Sequence, residues 1–421
     1  MRQKPAVLRE AVHYPKGPGA LSRGGWLATM RAMNNGSRFD ILIVGAGLAG
    51  ASLAVALRAS RYRVALVEGR LPALSDGGWD SRIYAVSPAN VRFLSDIGAW
   101  KHLDAQRIAP VYDMEVMGDR GARLAFSAYD SGVDELASIL EGRLMQQELW
   151  ETLKRQANLT LFCPASPQAL HFDEDAARLQ LTDGRHIEAS LVVAADGADS
   201  WVRNASGIAA RWTPYNEKGV VANFACELPH RNTAFQCFSD LGVLAWLPLP
   251  GNLMSMVWST PFDHADELVA LSPEALCERV AAAGGHRLGQ LDLVTPAAGF
   301  PLRLMRPEKT VAPRLALIGD AAHAIHPLSG HGINLGFQDA KVLAEVLTAL
   351  PDYCDCGDER SLRAYARCRF EETLLLQATT HSLRRLFRPS NPALSVLRNA
   401  GMNFTNRLPV VKDMLVRYAL G

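Results

Sequence analysis

Residues Ile318–Ala340 read IGDAAHAIHPLSGHGINLGFQDA, and the other informative segments of the chain make sense as parts that meet this one. Leu315, Ala316, Leu317 and Ile318 form a short apolar run, as expected of a buried parallel strand. Gly319-Asp320 ends that run with a carboxylate at the strand's C-terminal edge, where open α/β sheets bind ligands. Pro327 forces a turn. Beyond Gly330-His331-Gly332, the spacing of Ile333, Leu335, Phe337 and Val342 suits one face of a helix, which is expected to begin near Gly332. A helix start preceded by glycines leaves backbone N–H groups free to meet an anion or an electron-rich carbonyl. A strand, a turn and a core helix do not by themselves need G-D-A-A-H, then P-x-x-G-x-G-x-N, then Asp339.

Working outward, Asp40-Ile41-Leu42-Ile43-Val44 reads as another buried parallel strand. Gly45-Ala46-Gly47-Leu48-Ala49-Gly50 follows at once, then a helix from Ala51 to Ala59, a strand Arg63–Val67, and Glu68 at its end. A G-x-G-x-x-G alone is weak. Strand, glycines, helix, strand and acid in this order form a dinucleotide-binding unit. Gly45 makes the tight turn, Gly47 admits a pyrophosphate, Gly50 lets helix meet sheet, and Glu68 takes ribose hydroxyls, which favours an unphosphorylated ribose as in FAD or NAD. A third buried strand, Leu191–Ala195, ends in Asp196-Gly197-Ala198-Asp199-Ser200-Trp201-Val202-Arg203. Between these lie Asp80-Ser81-Arg82, a Ser87-Pro88 helix start, and Glu141-Gly142-Arg143 opening a helix through Lys154.

These segments together resemble the flavoprotein aromatic hydroxylases, the group with the para-hydroxybenzoate hydroxylase fold. The resemblance runs from about Asp40 to Gly421, and it implies FAD as cofactor. Asp320 then corresponds to the aspartate that holds the ribityl chain. Pro327, Gly330, Gly332 and Asn334 correspond to the helix start facing the pyrimidine end of the flavin, where a positive helix end suits the anionic reduced ring. The D-G-x-x-S-x-x-R stretch brings Asp196 towards the cofactor, with Arg203 supporting that loop or a pyrophosphate. Arg82 and Arg143 match arginines close to the FAD. The Arg82 region and the C-terminal stretch resemble the ubiquinone-biosynthesis branch, whose members usually carry Gln where this chain has His331. The implied reaction is hydroxylation of the ring of a polyprenylated phenol, with NAD(P)H reducing the flavin and O2 supplying the oxygen. The flavin does the hard chemistry. His323, His326 and His331 lie near the flavin segment without a partner visible in sequence, and no catalytic side chain is assigned. Rival readings are a related flavoprotein acting on another aromatic or prenyl substrate, or a non-catalytic flavoprotein scaffold. The Trp-x-Trp-x-Ile-Pro signature of the halogenases is absent, since Ala245-Trp246-Leu247-Pro248 does not match it.

The bulk numbers agree. A chain of 421 residues is too long for one small core. Hydrophobic content of 48% and charged content of 21% are ordinary for a globular protein, and a formal charge of +1 argues against nucleic acid as partner. Cys163, Cys226, Cys237, Cys277, Cys354, Cys356 and Cys368 are odd in number and lack framework spacing, which points to reduced thiols in a cytoplasmic protein and to no metal site. The expected class is α/β, with a Rossmann-like FAD-binding domain, a β-sheet substrate domain and C-terminal helices. Residues 1–38 are expected to be a disordered leader without a secretory apolar run. Residues 39–105, 136–205 and 300–348 are assigned to the FAD-binding domain, 106–135 and 206–299 to the substrate domain, and 349–421 to a helical region. Val111–Met117 with Arg123–Phe126 reads as a hairpin, and Gly219–Trp258 as an antiparallel sheet walling the substrate site through Val220–Phe224, Phe235–Phe238 and Leu244–Leu247. These strands are apolar and show no arginine clamp for a free aromatic acid. The tail carries Arg384, Arg385, Arg388, Arg398, Arg407, Lys412 and Arg417 beside apolar faces, which suits a membrane surface. Peripheral attachment to the inner membrane and a place in a ubiquinone-biosynthesis complex are the corresponding expectations.

Overall fold

The computed structural model describes residues 38–73, 77–325, 332–387, 392–406, 408, 412–414 and 416. The segment 1–37 therefore lies outside the described residues, and Arg38 already belongs to the first strand, Arg38–Val44. That strand is central in a sheet ordered Val311–Ala312, Leu315–Leu317, His186–Ala194, Arg38–Val44, Val64–Val67, Leu159–Phe162. The four pairings among the last five strands are parallel. Parallel strands covered on both faces read as continuous apolar runs, because alternate side chains enter different cores. Ile41 and Ile43 join the cluster under helices Leu48–Ala56, Gly142–Lys154 and Gly332–Thr348, whereas Leu42 and Val44 join the cluster on the opposite face.

This topology brings three distant motifs to one edge. Ala195 N–H donates to the Val44 carbonyl at 2.8 Å, Ile318 N–H to the Ala194 carbonyl at 3.0 Å, and Gly45 N–H to the Val67 carbonyl at 2.8 Å. The C-terminal ends of neighbouring parallel strands are thus in register, and Gly45, Asp196 and Asp320 follow them side by side in the crevice where such sheets bind ligands.

The second sheet runs Leu291–Leu293, Ala210–Cys226, Leu253–Pro261, Gly242–Leu249, Thr233–Ser239, Asp113–Met117, Arg123–Ser127, with Ala298–Pro307 also paired to Ala210–Cys226. It is not wholly antiparallel: Thr233–Ser239 pairs parallel to Asp113–Met117. The two strands are far apart in sequence, so no tight turn dictates their direction. The expected strand Val111–Met117 is interrupted at Tyr112. Its first part, Ala109–Val111, pairs with Ala137–Glu141, which also pairs with Ile83–Val86 in a separate small sheet. Ala298–Pro307 keeps the chain in the second sheet up to Pro307, beyond the boundary near residue 300 read from the Phe300-Pro301 step.

Strand alternation divides the expected substrate wall. Val220, Ala222, Phe224, Leu244 and Trp246 form a core with helices Phe262–Ala270 and Pro273–Ala283. Their neighbours face the other way, where Leu247, Leu249 and Ala234 pack on Ile83, Ala109, Val111 and Ile139. That second set faces the small sheet rather than the two helices.

Helices Glu359–Phe387 and Pro392–Asn406 are the last two elements with described bounds. The last of these closes the edge strand Arg123–Ser127. Asn406 Oδ1 accepts from Ala125 N–H at 3.0 Å, Asn403 Oδ1 from Arg123 N–H at 3.3 Å, and Asn399 Oδ1 from Arg120 N–H at 3.4 Å. The side-chain carbonyls at 399, 403 and 406 share one helix face and stand in for a neighbouring strand, a way of blunting an edge that would otherwise pair with another chain. Among the described residues, no helix is long and apolar enough to cross a membrane.

Candidate active site

The glycine loop is built for close backbone approach. Gly45 has φ +101°, and a Cβ there would lie 2.4 Å from the Ala195 carbonyl oxygen. A Cβ at Gly50 would lie 2.0 Å from the Gly45 carbonyl oxygen. Gly47 differs: a Cβ there would meet nothing within 4 Å. It is the N-cap of helix Leu48–Ala56 and offers no side-chain cap, so it leaves the first helical N–H groups without a side-chain partner of its own. Glu68 stitches the loop from below, its Oε2 accepting from Ala46 N–H at 2.8 Å and its Oε1 from Arg70 N–H at 3.0 Å.

Asp196 is turned towards its own chain. It accepts from Ser200 Oγ at 2.5 Å and from Val202 N–H at 3.0 Å, capping the short helix Trp201–Ala205. Burial raises its carboxyl pKa, and these hydrogen bonds only partly offset the rise. Arg203 is buried and donates to the Ala321 carbonyl at 3.0 Å and the Ala198 carbonyl at 2.9 Å. It supports the loop, one of the two roles open to it in the sequence, by tying the Asp196 turn to the Asp320 turn.

Asp320 opens to the crevice at the end of strand Leu315–Leu317. Its pKa is raised by the burial of its surroundings, with His323 opposing and Asp339 adding to the rise. Beneath it lies a fully buried network that the sequence did not reveal. Asp339 accepts from His323 Nε2 at 2.6 Å, from Gly319 N–H at 2.8 Å and from Arg369 Nε at 2.7 Å. Burial by itself would depress the imidazole, but the Asp339 carboxylate outweighs it and holds His323 above its ordinary value. Burial would likewise raise Asp339, and His323 with Arg369 pull it below the usual carboxylate range. His323 is thus the partner of a structural carboxylate. His326, Pro327, Gly330 and His331 lie outside the described residues.

The helix Gly332–Thr348 begins where its periodicity placed it. The Asn334 side chain is nevertheless committed elsewhere: Oδ1 accepts from Ser87 N–H and Asn90 Nδ2, both at 2.9 Å, and Nδ2 donates to the Ala85 carbonyl at 2.8 Å. It clamps strand Ile83–Val86 to the helix start, and its backbone carbonyl also accepts from Asn90 Nδ2 at 3.3 Å.

The opposite wall comes from the segment around Arg82 and Arg143. Asp80 accepts from the backbone N–H of Arg82 and of Arg143, each at 3.1 Å, so one carboxylate holds both arginines. The Arg143 guanidinium lies 3.9 Å from Asp80, and the Arg82 side chain is exposed. Glu141, buried, accepts from Asp80 N–H at 2.6 Å and from Arg107 at 2.7 and 2.8 Å. Arg107 lies 3.9 Å over the Trp79 ring and donates to the Gly77 and Gly78 carbonyls. A cavity of about 200 Å³ adjoins, lined by Gly77, Asp104, Arg107, Glu141, Arg143 and Leu144. Asn223, from the second sheet, donates through Nδ2 to the Asp80 carbonyl at 2.8 Å and so links the sheet to this wall.

The profile of the FAD binding domain family matches residues 38–371. The chain belongs to this family of FAD-dependent monooxygenases. It is 35% identical to the ubiquinone hydroxylase UbiL of Rhodospirillum rubrum, over 91% of this chain and 89% of that protein. It is 33% identical to 3-demethoxyubiquinol 3-hydroxylase of Escherichia coli, over 91% of this chain and 98% of that protein. Among solved structures, PqsL of Pseudomonas aeruginosa, a probable FAD-dependent monooxygenase, superposes with a TM-score of 0.73 at 26% identity, covering 87% of this chain and 99% of PqsL. The p-nitrophenol 4-monooxygenase PnpA of Pseudomonas putida shares the fold, with a TM-score of 0.75 at 20% identity over 91% of this chain and 99% of PnpA.

The crevice of this flavoprotein fits the cofactor of its family. The open space over Gly47 lies at a helix N-terminus, suited to a diphosphate. Both Asp320 and the start of helix Gly332–Thr348 stand beyond it at the same sheet edge. The inward face of the second sheet carries Val221, Ala245 and Leu247 together with the polar residues Asn223, Gln236, Ser255 and Ser259, and Asn223 Oδ1 and Ser255 Oγ are buried without a hydrogen-bond partner among the described residues.

Proposed function

We propose that this flavoprotein hydroxylates the aromatic ring of a polyprenylated phenol in ubiquinone biosynthesis, with NAD(P)H as electron donor and O2 as the source of oxygen. The observation that carries the reading is the relation to two proteins named as ubiquinone-pathway hydroxylases over 91% of the chain. The flavin, when bound, supplies the redox and oxygen-transfer chemistry. The chain supplies binding, orientation and exclusion of water. Gly45, Gly47 and Gly50 would hold the diphosphate, Glu68 the ribose and Asp320 the ribityl chain. The backbone at Gly332 would place a positive helix end against the ring. Arg82 and Arg143, fixed through Asp80, would add positive charge. In this division of labour the parallel sheet carries the cofactor and the inward face of the second sheet carries the substrate ring.

A prenylated substrate implies a membrane surface as the place of work. Phe370, Leu374 and Leu375 are 64%, 42% and 51% exposed on one helix and Phe404 is 65% exposed on the next, apolar positions that support peripheral attachment. The side chains of Arg384, Arg385, Arg388, Arg398, Arg407 and Arg417 lie outside the described residues.

Deleting the gene in its host and identifying the accumulated quinone precursor by mass spectrometry tests the reaction. A precursor lacking one ring hydroxyl is expected, and its structure names the carbon. Unchanged quinone levels in a host without a redundant paralogue would overturn the assignment.

A further inference from the structure

Tyr84 is a residue that neither the glycine loop nor the aspartate motifs point to. It lies two positions after Arg82, on strand Ile83–Val86. Alternation sends Ile83 and Ala85 towards the second sheet, and Tyr84 and Val86 towards the helices of the cofactor domain. The Tyr84 ring lies flush against the first residue of helix Gly142–Lys154, where a Cβ on Gly142 would be 2.7 Å from Cε2. Gly142 therefore leaves room for the ring and fixes its position. The ring is half-buried, and its hydroxyl has no hydrogen bond to any described residue. A tyrosine that buries its ring normally finds a partner for the hydroxyl. Here the wall is built, the ring is pinned, and the hydroxyl is left over.

We propose that the Tyr84 hydroxyl donates a hydrogen bond to the flavin dinucleotide, at an oxygen of the ribityl–diphosphate stretch, and so acts as a positioning residue for the cofactor. Two further observations support this. The phenol is held neutral, and thus a donor, because burial and the Asp320 carboxylate both raise its pKa. The second is geometric: Gln146, on the helix that the Tyr84 ring packs against, donates to the Ala46 carbonyl of the glycine loop. The neighbouring Ala85 carbonyl accepts from Asn334 Nδ2 at 2.8 Å at the start of helix Gly332–Thr348, which ties the strand to both segments that bound the crevice into which Asp320 opens. An acceptor and a donor then face a chain of alternating hydroxyl and phosphate oxygens. The proposal rests on the reading of this crevice as the FAD site.

Tyr84→Phe keeps the ring on Gly142 and removes only the hydroxyl. FAD is titrated into apoprotein and followed by quenching of flavin fluorescence. The expected result is a Kd raised roughly 3- to 10-fold, the loss of one neutral hydrogen bond, with the thermal stability of the apoprotein unchanged. Tyr84→Ala, which also removes the packing, should weaken binding at least as much and destabilise the apoprotein. If Tyr84→Phe binds FAD as wild type does and only Tyr84→Ala is impaired, the ring is packing alone and the proposal is overturned. Failure of the wild-type apoprotein to bind FAD would instead refute the crevice as the cofactor site.

Discussion

Replacing Asp339 with Asn tests the buried network under the Asp320 turn. Asp339 is 0% exposed, and it accepts from Gly319 N–H at 2.8 Å, His323 Nε2 at 2.6 Å and Arg369 Nε at 2.7 Å. The amide keeps the volume but loses the charge, and its NH2 must face either the Gly319 N–H or Arg369, both donors, or a His323 that can accept only as the neutral Nδ1–H tautomer. Breaking a buried ion pair on one side costs about 3–5 kcal/mol, because the remaining charge is left without compensation. The loss should depend on pH in a definite sense. His323 is raised above its ordinary 6.5, so its contribution is fully present below that value and fades as pH rises through the folded value. Asp339 is lowered from its ordinary 3.8, so its contribution is present above that value and fades as pH falls through the folded one. The gap between wild type and Asp339→Asn should therefore be widest between about pH 4 and 6.5 and narrow on the alkaline side. The Asp339–Arg369 pair keeps it from closing. Denaturant midpoints of the apoproteins at pH 5.5 and 8.5 read this directly. A difference below about 1 kcal/mol, or one equal at both pH values, would refute the account of the network as a coupled ion triad.

Other expectations follow from single contacts. Asp320→Ala should lose most of its bound flavin while the apoprotein stays folded, as read from the visible spectrum of the purified protein; full occupancy would remove Asp320 from the site. Arg107→Ala strips Glu141 of its bidentate partner and frees the Gly77–Asp80 loop, so it should destabilise the protein by about 3 kcal/mol or more and weaken FAD binding through Arg82 and Arg143. The conservative Arg107→Lys should recover only part of both losses, since Lys cannot reproduce the fork or the stacking on Trp79. The double variant Asn403→Ala, Asn406→Ala should speed hydrogen exchange at the Arg123 and Ala125 amides several-fold without changing it at Ile41 or Leu191, in the central sheet; unchanged exchange would show that the helix only lies beside the edge.

The cofactor half was readable in the sequence because its determinants are local. A strand buried on both faces must be continuously apolar, a Gly at positive φ beside a neighbouring carbonyl admits no substitute, and a helix announces itself by its period. Ile41–Val44, Gly45, Gly142–Lys154 and the start at Gly332 all follow from such rules. The resemblance to the flavoprotein hydroxylases rested on these same segments. The wall strands were also legible as strands, but a range of residues does not say which half points inward, and so Phe224 and Trp246 were read as pocket wall when they belong to a core under two helices.

Tertiary structure alone decided how the polar side chains are spent. Asn334 clamps Ser87 and Ala85, more than two hundred positions away in the chain. Asp196 caps its own helix, His323 meets Asp339, and Glu141 meets Arg107. No periodicity encodes such pairings, because a charge or an amide has the same local preferences whichever partner it finds. What selects the partner is the cost of burying it unpaired, and that cost exists only once the helices and the second sheet have closed over it. The parallel pairing of Thr233–Ser239 with Asp113–Met117 has the same origin. Nothing in either strand fixes its direction; the layers that must be covered on each side do.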